Sequence, residues 1–249
     1  MPAKDMSSIH RKPMKQDVFE FIHERIIAGQ CAPGEWLRQD VISSQLGVSM
    51  TPVREALDLL VSAGLAERVP YRGVRVLQPS AEEIADSYGT RLLLESAATY
   101  AAAINISSKQ LTKLGTLLDE SKSLAELKDM SRSRALNREL HTAIVTSSGN
   151  TLLNKIYITA LNTFPDWMLY EYMFRHPELL DESIRNEYKE HRAIVDALAA
   201  HDPILSVQRT IEHITNRSNE LETYLGVPIE AIIARESQIL PLLTNYTKS

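Results

Sequence analysis

The sequence predicts a mostly α-helical chain in two units: three short helices and a β-hairpin, then an all-α bundle. Three observations predict it. Apolar residues recur at helical spacing through most of the 249 residues. One stretch, 65–77, breaks that rhythm, because Val69, Val74 and Val76 flank Tyr71-Arg72-Gly73, the pattern of two short strands and a glycine-containing turn. After residue 80 glycine is sparse and no alternating pattern returns, which leaves the second unit all-α.

The elements follow in order. Residues 1–13 carry charges but no apolar stretch, so they read as a flexible tail and not as a secretory signal. Residues 14–78 form the first unit. Val18, Phe19, Ile22 and Ile26 make a helix that Gly29 stops. A turn at CAPGEW leads to a short helix over Gln39–Leu46, and Gly47-Val48-Ser49 leads to a helix from Met50 to Ala63, closed by Gly64. Gly47 suits a tight turn with positive φ, Ser49 suits an N-cap, and Pro52 is tolerated in a first turn.

The second unit spans 79–226. Ser80 and Glu83 form a capping box that opens a helix reaching about Ala103, and Ser107 with Gln110 forms another. Further helices are expected near 108–128, 131–148, 151–163, 165–175, 180–201 and 203–225, separated by Gly149-Asn150 and by Pro165, Pro177 and Pro203. Residues 227–249 are an extension, either one more helix or a loose tail.

Composition narrows the function classes. No apolar run approaches the roughly 20 residues that span a bilayer, so no membrane role is expected. Cys31 is the one cysteine, which excludes a disulfide framework and a cysteine-rich zinc site and fits a reducing cytoplasm. The net charge is -5, but residues 1–78 carry ten basic and nine acidic side chains, so the acidity lies in the second unit. A basic face matters more than a basic total for binding nucleic acid.

The helix from Met50 shows two faces. Val53, Ala56, Leu57 and Leu60 fall at i, i+3, i+4 and i+7 and form a buried stripe, while Met50, Thr51, Arg54 and Asp58 fall on another face. A helix N-terminus with Thr51 and Arg54 near it suits phosphates and base edges. A plainer reading has an ordinary amphipathic helix pair, with Arg54 solvated or paired with Asp58, its i+4 neighbour. The segment GVSMTPVREAL resembles the recognition helix of the GntR family of bacterial regulators, with PGEWL upstream and YRGVRV downstream fitting its flanking helix and wing. The resemblance implies a winged helix-turn-helix that binds double-stranded operator DNA. It implies that Arg54 contacts DNA, that Arg72 and Gly73 stand at a wing tip in the minor groove, and that Ser49, Thr51 and Arg75 contact the backbone. Where members commonly read Ser-Arg-Thr-Pro, this chain has Ser49-Met50-Thr51-Pro52, which removes a guanine-reading arginine.

The second unit resembles the FCD effector domain of the same family, a bundle of six to seven helices. Its marks are Arg91-Leu-Leu-Leu-Glu95, Asn137-Arg-Glu-Leu-His141, Ser148-Gly149-Asn150, Glu190-His191-Arg192 and His213. The resemblance implies a divalent metal site, of the kind that takes Zn²⁺, at Asn137, His141, His191 and His213, weakened by Asn137 in place of an aspartate. The residues agree in part. Asn137 and His141 share one helix face, and His191 lies in the inward stripe Ile184, Tyr188, His191, Val195, Leu198. His213 shares a face with Arg209, Asn216, Arg217 and Glu220, which periodicity assigns to solvent and only the family register turns inward.

Arg91 falls on the otherwise apolar stripe Ile84, Tyr88, Arg91, Ala98, Ala102. It is either paired internally with Glu95 or, as the resemblance implies, the anchor for the carboxylate of a small organic or sugar acid. Arg134, Asn150, Tyr188 and Asn216 are candidates to line the same cavity. Trp167, Tyr170 and Tyr172 read as packing, and His10, His23, His176 and His201 as tail, surface or loop histidines without a role. The expected function is a ligand-responsive repressor, a homodimer on a palindromic site, coupled to its ligand through the 77–81 linker. The alternative is a metal-dependent hydrolase. It lacks a placed acid or base, since Glu190 points about 100° away from His191.

Overall fold

The computed structural model describes residues 14–124 and 126–244, so the expected tail over 1–13, with His10, and the last five residues lie outside it. Helices α1 (Met14–Ile27), α2 (Gln39–Leu46) and α3 (Met50–Ser62) precede the strands β1 (Ala66–Val69) and β2 (Gly73–Val76). Val18, Ile22 and Ile26 of α1 pack with Val53, Ala56, Leu57 and Leu60 of α3, the stripe that periodicity marked. Between α2 and α3, Gly47 takes φ +64 and lets the Val48 amide bond back to the Ser43 carbonyl at 3.1 Å. Ser49 occupies the N-cap position of α3, but its hydroxyl makes no capping bond.

The strands pair antiparallel, with Ala66 opposite Val76 and Val69 opposite Gly73. The PGEWL segment lies along β2 as well, the Leu37 amide donating to the Val74 carbonyl at 2.9 Å. This brings Trp36 beside Arg75.

The body consists of α4 (Ala81–Asn105), α5 (Ser108–Lys122), α6 (Met130–Ser147), α7 (Thr151–Thr163), α8 (Asp166–Arg175), α9 (Leu180–Ala199), α10 (Pro203–Asn216), α11 (Ser218–Leu225) and α12 (Ile229–Thr244). Both capping boxes form, at Ser80/Glu83 and Ser107/Gln110. The central α4 packs against α6, α7, α9, α10 and α12.

Two expectations need correction. The helix from residue 108 ends at Lys122, and a short 3₁₀ turn at Leu127–Asp129 precedes α6. The segment 203–225 is two helices, because the chain turns at Arg217, whose amide bonds the Ile214 carbonyl in a tighter turn. Of the two readings of the extension, one more helix holds over Ile229–Thr244. Ile232 and Leu243 of α12 are buried with Ile84, Tyr88 and Leu92 of α4, and Arg235 bridges Glu82 and Asp86, so α12 completes the bundle core.

The two units share one apolar core. Met130, Trp167, Tyr170, Met173 and Leu180 of the body pack with the buried residues of α1 and α3. Gly64, at φ +70, lies against the Asn162 carbonyl so closely that a Cβ would collide with it. Arg134, 3% exposed, sits in this junction and bonds both Asp166 of α8 and the Ala63 carbonyl that ends α3.

Candidate DNA interface and histidine cavity

The N-terminus of α3 and the wing present the candidate DNA-reading residues. Ser49, Met50, Thr51 and Arg54 are all exposed, on the turn where the helix dipole is positive. Arg54 forms no ion pair among the described residues, since Asp58 pairs across to Arg68 on β1. The plainer pairing of Arg54 with Asp58 is therefore absent. Arg72 is exposed at the tip of the hairpin and Gly73 takes φ +119. Tyr71 beside them is fully exposed with φ +63, a left-handed conformation uncommon for an aromatic residue.

Arg75 is less free than the sequence suggested. Its Nε lies 2.8 Å from Glu67 Oε1 and its guanidinium stands 5.9 Å over the Trp36 ring. Arg38, at the N-cap position of α2, lines a recess with Arg72, Trp36 and Gly73 and adds a candidate that sequence reasoning did not name. Its signal was its place just before a helix start.

Within the body, α6, α9 and α10 bring His141, His191 and His213 together, with one candidate ligand atom from each within 4.8 Å of the others. The Nε2 atoms of His141 and His191 are 3.1 Å apart, close to the roughly 3.3 Å between two nitrogens on one tetrahedral Zn²⁺. All three rings are buried. His141 Nδ1 lies 2.8 Å from Glu95 Oε2, and His213 Nδ1 lies 2.8 Å from Glu190 Oε2. Each carboxylate fixes a tautomer and leaves Nε2 as the free lone pair, the arrangement found behind metal-bound histidines.

The electrostatics favour neutral rings at His191 and His213. Burial, then the neighbouring imidazoles and Arg217, hold His191 and His213 well below the usual histidine range. Burial pushes Glu95 up, but Arg91 and His141 more than offset this and hold it at about 2. Asn137 is half-buried, and its Nδ2 donates to the Tyr170 hydroxyl at 2.9 Å and to Glu187. Its carbonyl oxygen is the atom left for an ion. Three buried imidazoles with converging ring nitrogens suit a divalent cation.

Beside the histidines lies an enclosed cavity whose polar wall includes Arg91, Asn137, Arg138, His141, His213 and Arg217. Both readings of Arg91 have a basis here. Its Nε bonds Glu95 Oε1 at 2.8 Å while its guanidinium, 4.5 Å over the Phe164 ring, also lines the cavity. Arg138 and Arg217 were missed. The charged face of α10 was assigned to solvent, yet His213 is buried and Arg217, one turn on, pairs inward with Glu187 and Glu220.

Four expected cavity residues lie elsewhere. Arg134 is held at the junction by Asp166 and stands 3.5 Å from His23. Asn150 caps α7, accepting from the Leu152 and Leu153 amides. Tyr188 lines a separate recess on the other side of His191, with Lys122 over its ring. Asn216 is exposed and donates to Glu190 at 2.7 Å, which places it behind His213. Nor is His23 a surface residue, for it is buried against Phe19, and burial followed by Arg134 lowers it to about 4. Trp167 packs as expected, while Tyr170 also serves Asn137 and Tyr172 stacks on Tyr224.

A helix-turn-helix and wing with free arginines, packed on a helical body with its own polar cavity, define a DNA-binding regulator. Family models place it further. The model described as "Bacterial regulatory proteins, gntR family" matches residues 14–76, and the FCD domain model matches 86–216, more than half of the chain. The chain belongs to the GntR family of bacterial regulators and carries an FCD domain, a family of transcriptional regulators and not of enzymes. The hydrolase alternative falls with that finding, and Glu95 and Glu190 are both bound to histidine Nδ1 atoms.

The chain is 30% identical over 204 residues to a protein of Paenarthrobacter nicotinovorans described as a probable D-xylose utilization operon transcriptional repressor, covering 82% of this chain and 87% of the relative. It is 24% identical over 199 residues to the gluconate operon transcriptional repressor of Bacillus subtilis, covering 80% and 81%. Among solved structures, E. coli McbR/YncC matches with a TM-score of 0.65 at 23% identity, over 85% of this chain and 98% of that one, a likeness of fold. Among the described residues no helix is long and apolar enough to cross a membrane.

Proposed function

We propose that this protein is a repressor of catabolic or transport genes that leaves its operator when a small organic or sugar acid binds the body. The observation that carries the reading is the convergence of three buried imidazoles beside an arginine-lined cavity, in a chain whose recognition helix presents a free Arg54. His141, His191, His213 and Asn137 would hold one divalent ion, and Arg91 would take the acid's carboxylate as a planar two-donor partner. A bound cation would supply positive charge for a second acid oxygen. The printed names of two relatives, concerned with xylose and gluconate operons, support a sugar or sugar-acid signal. A cytoplasmic place fits a DNA-binding regulator.

Reading a palindrome takes two recognition helices, so the acting form is a homodimer. We place the surface for a second copy on adjacent helices. Leu93, Tyr100 and Ile104 of α4 and Leu152 and Ile156 of α7, exposed apolar side chains on two helices that pack together, would line it. DNA contacts by Ser49, Thr51, Arg54, Arg72, Gly73 and, more weakly, Arg75 complete the reading.

The test combines three measurements on full-length protein purified without a histidine tag. Light scattering should give twice the 28.0 kDa chain mass. Elemental analysis should find up to one metal per chain. Gel shifts on genomic promoter fragments should show binding that a member of a carboxylate and sugar-acid panel abolishes. A monomer without metal that shifts no fragment overturns the proposal.

A further inference from the structure

Met50 is the first residue of α3 and is 51% exposed, a large apolar side chain turned to solvent. The residues around it at this end, Ser49, Thr51 and Arg54, are polar and exposed. Recognition helices put their N-terminal residues against base edges in the major groove. A methionine in that place has no donor to offer. The acceptors of guanine would lose water against it without gaining a hydrogen bond, an unfavourable exchange. Of the groups that the four bases show in the major groove, only the C5 methyl of thymine is apolar.

We propose that Met50 packs against a thymine methyl and so sets the base preference of the operator, an inference that rests on the operator-binding function proposed above. The thioether suits the task, since its flexible, polarizable chain fills irregular apolar gaps. Arg54 stands one helical turn on, on the same face, with its guanidinium free of any described acid. It takes a guanine through the two-acceptor edge. Four residues of helix advance about 6 Å, on the order of two base-pair steps. The half-site therefore carries a thymine and a guanine within about two steps of each other, one for each side chain.

The experiment selects operators from random duplex DNA with the full-length protein, then replaces the thymine assigned to Met50 with 2′-deoxyuridine, which removes the methyl group alone. The wild type should lose three- to tenfold in affinity at fixed salt. Met50→Ala should show a similar loss on the thymine duplex and indifference to uracil, and Met50→Arg should shift selection at that position to guanine. As Met50 is exposed, circular dichroism should find both variants folded. Equal affinity of the wild type for the two duplexes, or a selected half-site with no thymine within about two steps of the guanine, overturns the Met50 assignment and leaves operator binding intact. Enrichment of no sequence at all overturns both.

Discussion

Arg134→Met should destabilise the protein by about 3 kcal/mol, because it removes one partner from a buried ion pair. The guanidinium is 3% exposed and donates to Asp166 Oδ1 from two nitrogens, at 3.1 Å and 2.7 Å. It also donates to the Ala63 carbonyl at 3.2 Å. Truncating one side of such a pair costs about 3–5 kcal/mol. The low end applies, since Asp166 keeps Arg138 at 3.2 Å and so is not left uncompensated. For a chain of this length, that loss lowers Tm by roughly 6–12 °C. Calorimetry and urea titration both read it. Because Arg134 ties the end of α3 to the body, hydrogen exchange at the last turn of α3 should also quicken relative to the first turn. A stability loss under about 1 kcal/mol, with α3 exchange unchanged, refutes the argument that Arg134 joins the two units.

Acid should weaken the fold partly through His23, whose value falls from 6.5 unfolded to about 4 folded. The unfolded chain then takes up a proton that the folded one refuses, so stability drops as pH falls from 6.5 toward 4, by about 2 kcal/mol at pH 5. His23→Leu should remove that share from the slope of stability against pH, and an unchanged slope contradicts the assignment. Asn137→Asp should enlarge the rise in Tm that added Zn²⁺ produces, because a charged oxygen replaces an amide, while without metal the new carboxylate repels Glu187 and lowers Tm. Equal zinc shifts for both proteins would exclude residue 137 as a ligand. Arg54→Ala should weaken operator binding tenfold or more, on the basis of about 1–3 kcal/mol for a base contact, as read by anisotropy at fixed salt.

The elements were legible where local chemistry alone decides them. Ser80/Glu83 and Ser107/Gln110 announced their helices because a capping box satisfies amides within four residues of chain. The stripe of Val53, Ala56, Leu57 and Leu60 was legible because burial on one helix face imposes its period. Periodicity failed where buried charges meet buried charges. Arg217 and His213 read as a solvent face, since a sequence does not reveal that Glu187 and Glu190 approach from another helix. Arg134 was placed in the cavity for the same reason, its partner Asp166 being 32 residues away. The Arg91–Glu95 pair, one turn apart, was foreseen, but its extension to His141 was not. The proposed metal set came from family resemblance, and the structure adds the 3.1 Å approach of two of its rings.

The central claim is that acid binding in the body controls DNA binding in the reader. Once a thermal-shift screen has found an acid that binds, operator affinity is measured by anisotropy across a titration of that acid, for the wild type and for Arg91→Lys. The lysine keeps the charge but loses the planar fork. The account predicts that both proteins bind the operator equally well without acid, that saturating acid releases the wild type, and that Arg91→Lys needs at least tenfold more acid for the same release. Release of both proteins at the same acid concentration, or operator binding by the wild type that no acid alters, would contradict it.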